Sequence, residues 1–302
     1  MPFAPPPSVD PLEIRHARAL SLPFGRMAPR ASGLAAGRSE FGIGLHFANE
    51  LRLAGAVRED AETDRLLLDY RRGVGGGWTV GGSVALVSRG GGWMDGPIDF
   101  WHGLIGSTGT PRDGVPYGRS FVTGPGYSFG SATGLSDLDL RAVREFAGGW
   151  SAGGSVKLPT GRAAGLLGSG AVDGTVDVAK RWRSGRFRFL AQAGLTFQGR
   201  ATRLPGARAT VPQVLLMAAW APNSRDAYLL QIQSETSAIR TGVGASDGTH
   251  RIGSLGYRRR VGAEKWVEVH FSEDDDIGFL RGSGLLGSGP DFAWGARYVV
   301  RF

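Results

Sequence analysis

Most of this chain alternates between apolar residues and polar or small residues with a period of two. In "FGIGLHFANEL", Phe41, Ile43, Leu45 and Phe47 interleave with Gly42, Gly44, His46 and Ala48. Successive side chains of a β-strand point to opposite faces, so this pattern specifies a strand with two unlike sides. It recurs over residues 40–53, 64–73, 77–89, 135–147, 150–161, 171–183, 186–199, 211–222, 225–239, 249–261, 264–274 and 291–302, giving twelve segments. Soluble strands run about 5–6 residues, whereas a tilted strand crossing a bilayer needs about 9–11. These segments have the longer length.

The connections sort in the same direction. Breaks at "GVGGG", "AGG", "RSG", "NSR" and "GAE" are tight. The breaks between them, 54–63, 90–134, 162–170, 200–210, 240–248 and 275–290, are longer. Transmembrane barrels have short periplasmic turns and long external loops, and an even strand number puts both chain ends on the periplasmic side. Read at the short-turn end, the strands offer Phe41, Tyr70, Trp78, Phe146, Trp150, Trp182, Phe187, Trp220, Tyr228, Tyr257, Trp266 and Phe302. That is the aromatic girdle of a membrane interface. The last strand sets Phe292, Trp294, Ala296, Tyr298, Val300 and Phe302 against Gly295, Arg297, Val299 and Arg301. Apolar residues facing out and polar residues facing in require lipid outside, and lipid requires a closed ring with no free edge. The expectation is an all-β, twelve-stranded antiparallel transmembrane barrel over residues 39–302. Two strands read less cleanly. Ile252 is out of phase with Leu255 and Tyr257, which suggests a bulge, and Trp266 shares a face with Glu268 and His270. A hairpin around Ser120–Phe129 would change the strand count if it joined the ring.

Composition narrows the alternatives. The chain has 302 residues, 50 of them Gly and none Cys, with a formal charge of +8. Lack of Cys removes disulfides, thiol chemistry and cysteine metal sites. The aromatic content rules out a disordered chain, and no apolar run is long enough for a membrane helix. The basic residues are spread over strands and loops with no recognition helix, so nucleic acid is not an expected partner. Residues after Met1 show no basic start or apolar segment, and the expectation is a chain whose signal peptide has been removed.

Residues 1–38 differ from the rest. Seven of the 16 prolines lie in the first 30 residues, together with Arg15, Arg18, Arg26 and Arg30. The arm reads as irregular, with a loose tail around Pro5–Pro7 and residues 11–38 inserted into the lumen, where its arginines would pair with inward carboxylates.

By parity the lumen receives Asp137, Asp139, Arg141, Lys157, Asp173, Asp177, Arg181, Arg186, Arg188, Glu235, Arg258, Glu268, His270 and Arg297, with Glu50, Asp69, Arg71, Arg260 and Arg301. Two readings follow, a charge-selective pore lining or a salt-bridge ladder bracing a narrow interior. Barrels near eight strands are filled by side chains and those near sixteen hold a channel, so twelve leaves both open. In the loop 90–134, Ile98, Trp101 and Leu104 stand at helical spacing, and Trp93, Trp101 and His102 are candidates for a gate at the mouth. Glu273–Asp276 reads as a solvated loop, since its spacing matches no calcium loop, and the five histidines do not cluster in sequence. No cofactor or metal is expected. His270 and Ser272 share a face, the arrangement of a lipid hydrolase, but that face is the inward one and no Gly-x-Ser-x-Gly elbow occurs. The chain is not expected to be an enzyme.

The ending "ARYVVRF" resembles the aromatic-terminated last strand of bacterial outer-membrane barrels, the signal read by the barrel-insertion machinery. The segments "IRHARALSLPFG", "RLLLDYRRGVGGGWTVGGSVALVSRGGGWMDGPIDFWHGLIG", "LSDLDLRAVREF" and "GGSVKLPTGRAAGLLGSGAVDGTVDVA" look like a proteobacterial outer-membrane family classed as a domain of unknown function. The block with "KLPTG" is distantly similar to barrel proteins associated with phenol meta-cleavage pathways. The resemblance implies an outer-membrane location, contact with lipid and lipopolysaccharide, and no catalytic residue. With the lumen reading it implies passage of small polar or anionic solutes. The alternative is a closed barrel acting through its external loops.

Overall fold

The computed structural model describes residues 9–104, 115–274 and 292–302. Twelve antiparallel strands close into a ring. They are β1 (Ser39–Ala54), β2 (Val57–Gly75), β3 (Trp78–Gly90), the pair β6 (Ala132–Leu135) and β7 (Leu138–Glu145), β8 (Trp150–Leu158), β9 (Asp173–Ser184), β10 (Phe187–Phe197), β11 (Thr210–Trp220), β12 (Asp226–Thr236), β13 (Thr249–Gly262), β14 (Lys265–Asp274) and β15 (Phe292–Arg301). β6 and β7 form one ring strand, interrupted at Ser136–Asp137, and both pair with β3. β1 and β15 close the ring, from Glu40 opposite Arg301 to Asn49 opposite Phe292. All twelve expected segments are present. The lipid environment explains their legibility, because every residue on a spanning strand must satisfy one of two opposite solvents.

Three details differ from the sequence reading. The stretch 54–63 is not a long loop. β1 and β2 continue pairing to Ala54 opposite Val57, past a turn where Gly55 takes a φ of +57°. The charges of "VREDAETD" disguised this extension as loop, yet Glu59, Asp60 and Glu62 are almost fully buried. The hairpin near Ser120 exists as β4 (Phe121–Gly124) and β5 (Tyr127–Phe129), but it caps the extended end of β2 and stays outside the ring. Ile252 marks no bulge. It pairs regularly with Gln233 and is buried on the inward face, and the irregularity in β13 lies at Arg260–Gly262 instead.

The outer surface is an apolar belt, with Leu45, Val176, Leu216, Leu230 and Leu255 all exposed. At its short-turn edge, Trp182 stacks on Phe189, and Trp220 on Tyr228 beside Tyr257. Trp266 turns inward, beneath the Arg301 guanidinium at 4.9 Å. A soluble protein rarely exposes so continuous an apolar surface, and a belt between aromatic girdles is the outer-membrane arrangement. No helix among the described residues is long and apolar enough to cross a membrane. The short turns therefore mark the periplasmic end.

Candidate functional site

The lumen is built by two chain segments, the inward face of the ring and the N-terminal arm. Residues 9–38 have almost no regular structure, so their peptide groups depend on partners outside the segment. The wall supplies them. The arm rises from the periplasmic end along β12 and β13, turns near Ala19–Phe24 at the external end, and descends along β9–β11 to enter β1. On the rising limb, Leu12 N–H donates to Gln231 Oε1 at 2.9 Å, Gln231 Nε2 donates back to Leu12 O at 3.2 Å, and Gln233 Nε2 donates to Ile14 O at 3.3 Å. On the descending limb, Gly25 N–H donates to Asp173 Oδ2 at 2.7 Å, Met27 N–H to Gln213, and Arg30 N–H to Gln192 Oε1 at 2.9 Å. The inward glutamines thus act as ladder partners for an irregular chain.

The two limbs also bind one another. Arg26 Nη2 meets Glu13 Oε1 at 2.6 Å, and Ser32 donates its N–H and hydroxyl to Asp10 Oδ1 at 2.7 and 2.5 Å. Leu12 and Met27 pack against Leu190, Leu215, Met217 and Leu229 of the wall. The arm tip, with Ala19, Leu20 and Phe24, joins Val122, Tyr127 and Phe129 of the cap hairpin.

Charges sort by level. At the periplasmic end, Asp10 of the arm is held by Arg71 at 3.2 Å and Arg301 at 3.1 Å. Both arginines also grip Glu40, at 2.7 and 2.6 Å. Asp69 pairs with Arg297 at 2.7 Å and lies 3.8 Å from Arg141, while Arg258 pairs with Glu268. At mid-height Arg30 of the arm binds Asp177. At the external end Arg18 donates to Glu59 through Nη2 at 2.6 Å and Nε at 2.9 Å, and to Ser246 O at 2.8 Å. Buried ions cost several kcal/mol each in lost hydration, which only close, well-hydrogen-bonded pairing offsets. Almost every charge the arm carries inward meets such a partner.

The residues expected to line the lumen mostly face it. Lys157 bridges Asp137 at 2.6 Å and Asp173 at 3.3 Å, so the cross-strand cluster forms with Asp137 rather than with the directly opposed Asp139. Arg181 donates to Ser32 Oγ at 2.7 Å, and Glu235 lies 3.9 Å from His16. Arg186 and Arg188 depart from the expectation. Arg186 is exposed in the turn between β9 and β10, and Arg188 folds back onto the carbonyls of Gly185 and Phe187, both at 2.9 Å. Parity placed them on the inward face but not their height, and they stand at the rim. His270 and Ser272 are buried on the inward face, away from lipid.

Of the gate candidates, Trp93 lies elsewhere too. Helix α1 (Asp95–Leu104) is anchored at Asp95, which accepts from Asn49 Nδ2 and Gly118 N–H, both at 2.9 Å. Trp93, Met94, Pro97 and Ile98 line a groove of about 540 Å³ with Phe271, Phe292 and Trp294, on the outer wall rather than over the mouth. The side chains of Trp101 and His102 lie outside the described residues, as do Asp275 and Asp276.

With the arm in place, the lumen retains cavities of about 40, 30 and 10 Å³, room for a few waters each at most. Sequence reasoning missed Glu59, His250 and Asp274 as partners of the arm. The first lay in a supposed loop, and the histidines are scattered in sequence.

Fold and lumen together define an outer-membrane β-barrel whose interior is occupied by its own N-terminal segment. No protein-family model and no curated sequence matches the chain. Among solved structures it is similar to an outer membrane channel from Pseudomonas putida F1, with 12% identity over 92% of this chain and 100% of that one, at a TM-score of 0.61. Looser likenesses are the monoaromatic hydrocarbon channel CymD (10% identity, 89% of each chain, TM-score 0.45) and the KdgM porin (8% identity, 86% of this chain and 99% of that one, TM-score 0.45).

Proposed function

We propose that the protein is an outer-membrane channel for small polar or anionic solutes, and that its N-terminal arm is the plug that closes it. The observation carrying this reading is the bonding of residues 9–38. The arm is held by side-chain amides and ion pairs at discrete points. Its strand pairing is confined to a bridge from Ala36 to Gly73 at its base. A segment held this way can detach without breaking the ring. Departure of the arm removes Asp10 and Glu13 from the periplasmic half. Arg71, Arg141, Arg181, Arg258, Arg297 and Arg301 then remain there with Glu40, Asp69, Glu145 and Glu268, and with Asp177 at mid-height freed of Arg30, a smaller excess of positive charge that favours anions. The resemblance of the "KLPTG" block adds phenolic compounds to the solutes worth assaying. The neighbouring channel fold and the burial of His270 and Ser272 on the inward face, away from lipid, support a transport role over catalysis.

Deleting residues 2–38 should raise single-channel conductance in planar bilayers, with a reversal potential showing anion preference. An unchanged conductance would remove the plug and favour the closed, loop-binding barrel.

A further inference from the structure

At the external end the arm tip meets the wall in a cluster that the channel reading does not require. His16 of the arm, His250 at the start of β13 and Asp274 at the end of β14 converge on one point, with relative exposures of 3%, 0% and 2%. His16 Nε2 lies 2.7 Å and His250 Nδ1 3.2 Å from the same oxygen, Asp274 Oδ2. The three ligand atoms lie within 4.8 Å of one another. We propose that His16, His250 and Asp274 bind a divalent transition-metal ion of the zinc class, which staples the arm tip to the barrel wall.

The donor set suits such an ion. Two imidazoles and one carboxylate are the ligands of many zinc and other borderline transition-metal centres. Around a four-coordinate ion with bonds of about 2.1 Å, ligand atoms stand about 3.4 Å apart. The two contacts to Asp274 Oδ2, 2.7 and 3.2 Å, reach it with shifts of about 0.7 and 0.2 Å. Magnesium and calcium prefer oxygen cages and fit poorly.

Proton accounting points the same way. Without an ion and with both rings neutral, the imidazoles donate to Asp274 Oδ2, with their protons on His16 Nε2 and His250 Nδ1. That leaves His16 Nδ1 and His250 Nε2 as buried acceptors, and neither has a hydrogen-bond partner. Ordinary structures avoid such groups. With an ion, the lone pairs of His16 Nε2 and His250 Nδ1 point inward to the metal and the protons move to the outer nitrogens. His16 Nδ1–H then faces Glu235 Oε1, 3.9 Å away, approaching the carboxylate–histidine–metal relay that commonly orients a ligand. Asp274 is oriented as well, since its other oxygen accepts the Arg251 N–H at 3.1 Å. The two rings, 4.0 Å apart between centroids, would repel as imidazolium cations but not as neutral ligands.

The site is assembled only when the arm is docked, because one ligand comes from the arm and two from the wall. Metal binding and arm docking therefore strengthen each other by the same factor. The site itself does not depend on whether the barrel conducts, so its failure and the failure of the channel reading are distinguishable.

The test is Zn²⁺ binding by the purified full-length barrel, measured by competition with a chromophoric chelator, and Co²⁺ binding followed by its visible absorption. The expected result is one ion per chain, with no detectable site in His16→Ala or His250→Ala, and binding weakened by about 10-fold in Glu235→Gln. His16→Cys should restore binding through a thiolate, which a merely space-filling role would not do. Heat-shifted mobility in gels confirms that each variant remains a folded barrel. Zn²⁺ binding that survives both alanine substitutions, or no binding by the native chain, overturns the proposal. Either outcome would leave a hydrogen-bonded His–Asp–His cluster.

Discussion

Replacing Arg18 with alanine attacks the arm at its most buried ionic contact. The Arg18 and Glu59 side chains are exposed by 0% and 1%, and the guanidinium makes three hydrogen bonds, two to Glu59 and one to Ser246 O. Removing one partner of a buried pair costs about 3–5 kcal/mol, mostly from the charge left behind. Here the lower end applies, because Arg52 Nε lies 4.0 Å from Glu59 and takes up part of the stranded charge. In the undocked arm both groups regain water, so the loss falls on the docking equilibrium and not on the ring. About 3 kcal/mol at 1.4 kcal/mol per decade shifts that equilibrium about 100-fold toward release. Single-channel recording reads it directly as a rise in open probability at unchanged unitary conductance. Glu59→Gln should act in the same direction, and the double variant should fall short of the sum, as expected for residues in contact. An open probability within a factor of two of the native protein would refute the reasoning, since the best-buried pair would then contribute nothing to closure.

Two further outcomes test the wall from either side. On the inward face, a Cβ on Gly256 would stand 2.5 Å from Leu12 Cδ2; Gly256→Val should therefore displace the rising limb and open the channel while the ring still folds, and a variant as closed as the native protein would show that the limb is not seated there. On the outward face, Leu216 is 50% exposed and pairs with Ala191 and Ile232 in mid-strand. Leu216→Arg should lower the stability of the lipid-embedded barrel by about 2–4 kcal/mol in chemical denaturation from vesicles, whereas loss of stability near zero would argue against lipid on that face.

The ring was legible in the sequence because its constraint is local and repeated. Each strand residue must suit lipid or lumen, so a period of two persists for ten residues at a time and the ends carry aromatics. The arm has no such period. Its order comes from single long-range contacts such as Leu12 with Gln231 and Arg18 with Glu59, and nothing in "LEIRHARALSLPFG" shows which wall residue each group will meet. Gln213, Gln231 and Gln233 stand on the inward face and bond to peptide groups of the arm, a role that alternation alone does not announce. Parity also gives a face without a height, which is why Arg186 and Arg188 were assigned to a lumen they only border. The strand extension at 54–63 stayed hidden for a related reason. Beyond the membrane, the outward face no longer needs to be apolar, and the signal that marks a strand stops before the strand does.

The distribution of charge explains how one chain can fold as a barrel and then close it. The external half of the wall is acidic, with Glu50, Glu59, Glu235 and Asp274, and the arm brings Arg15, Arg18 and His16 to that level. The periplasmic half is rich in arginine, and the arm brings Asp10 and Glu13 there. The rising limb therefore carries at each level the sign that the level lacks, and a limb docked in the reverse direction would set like charges together. Docking in the observed direction neutralises both halves, while an empty lumen leaves an acidic vestibule above a basic constriction. The same pairing that closes the lumen thus fixes the orientation of the arm, and its release is what would expose a charge-selective path.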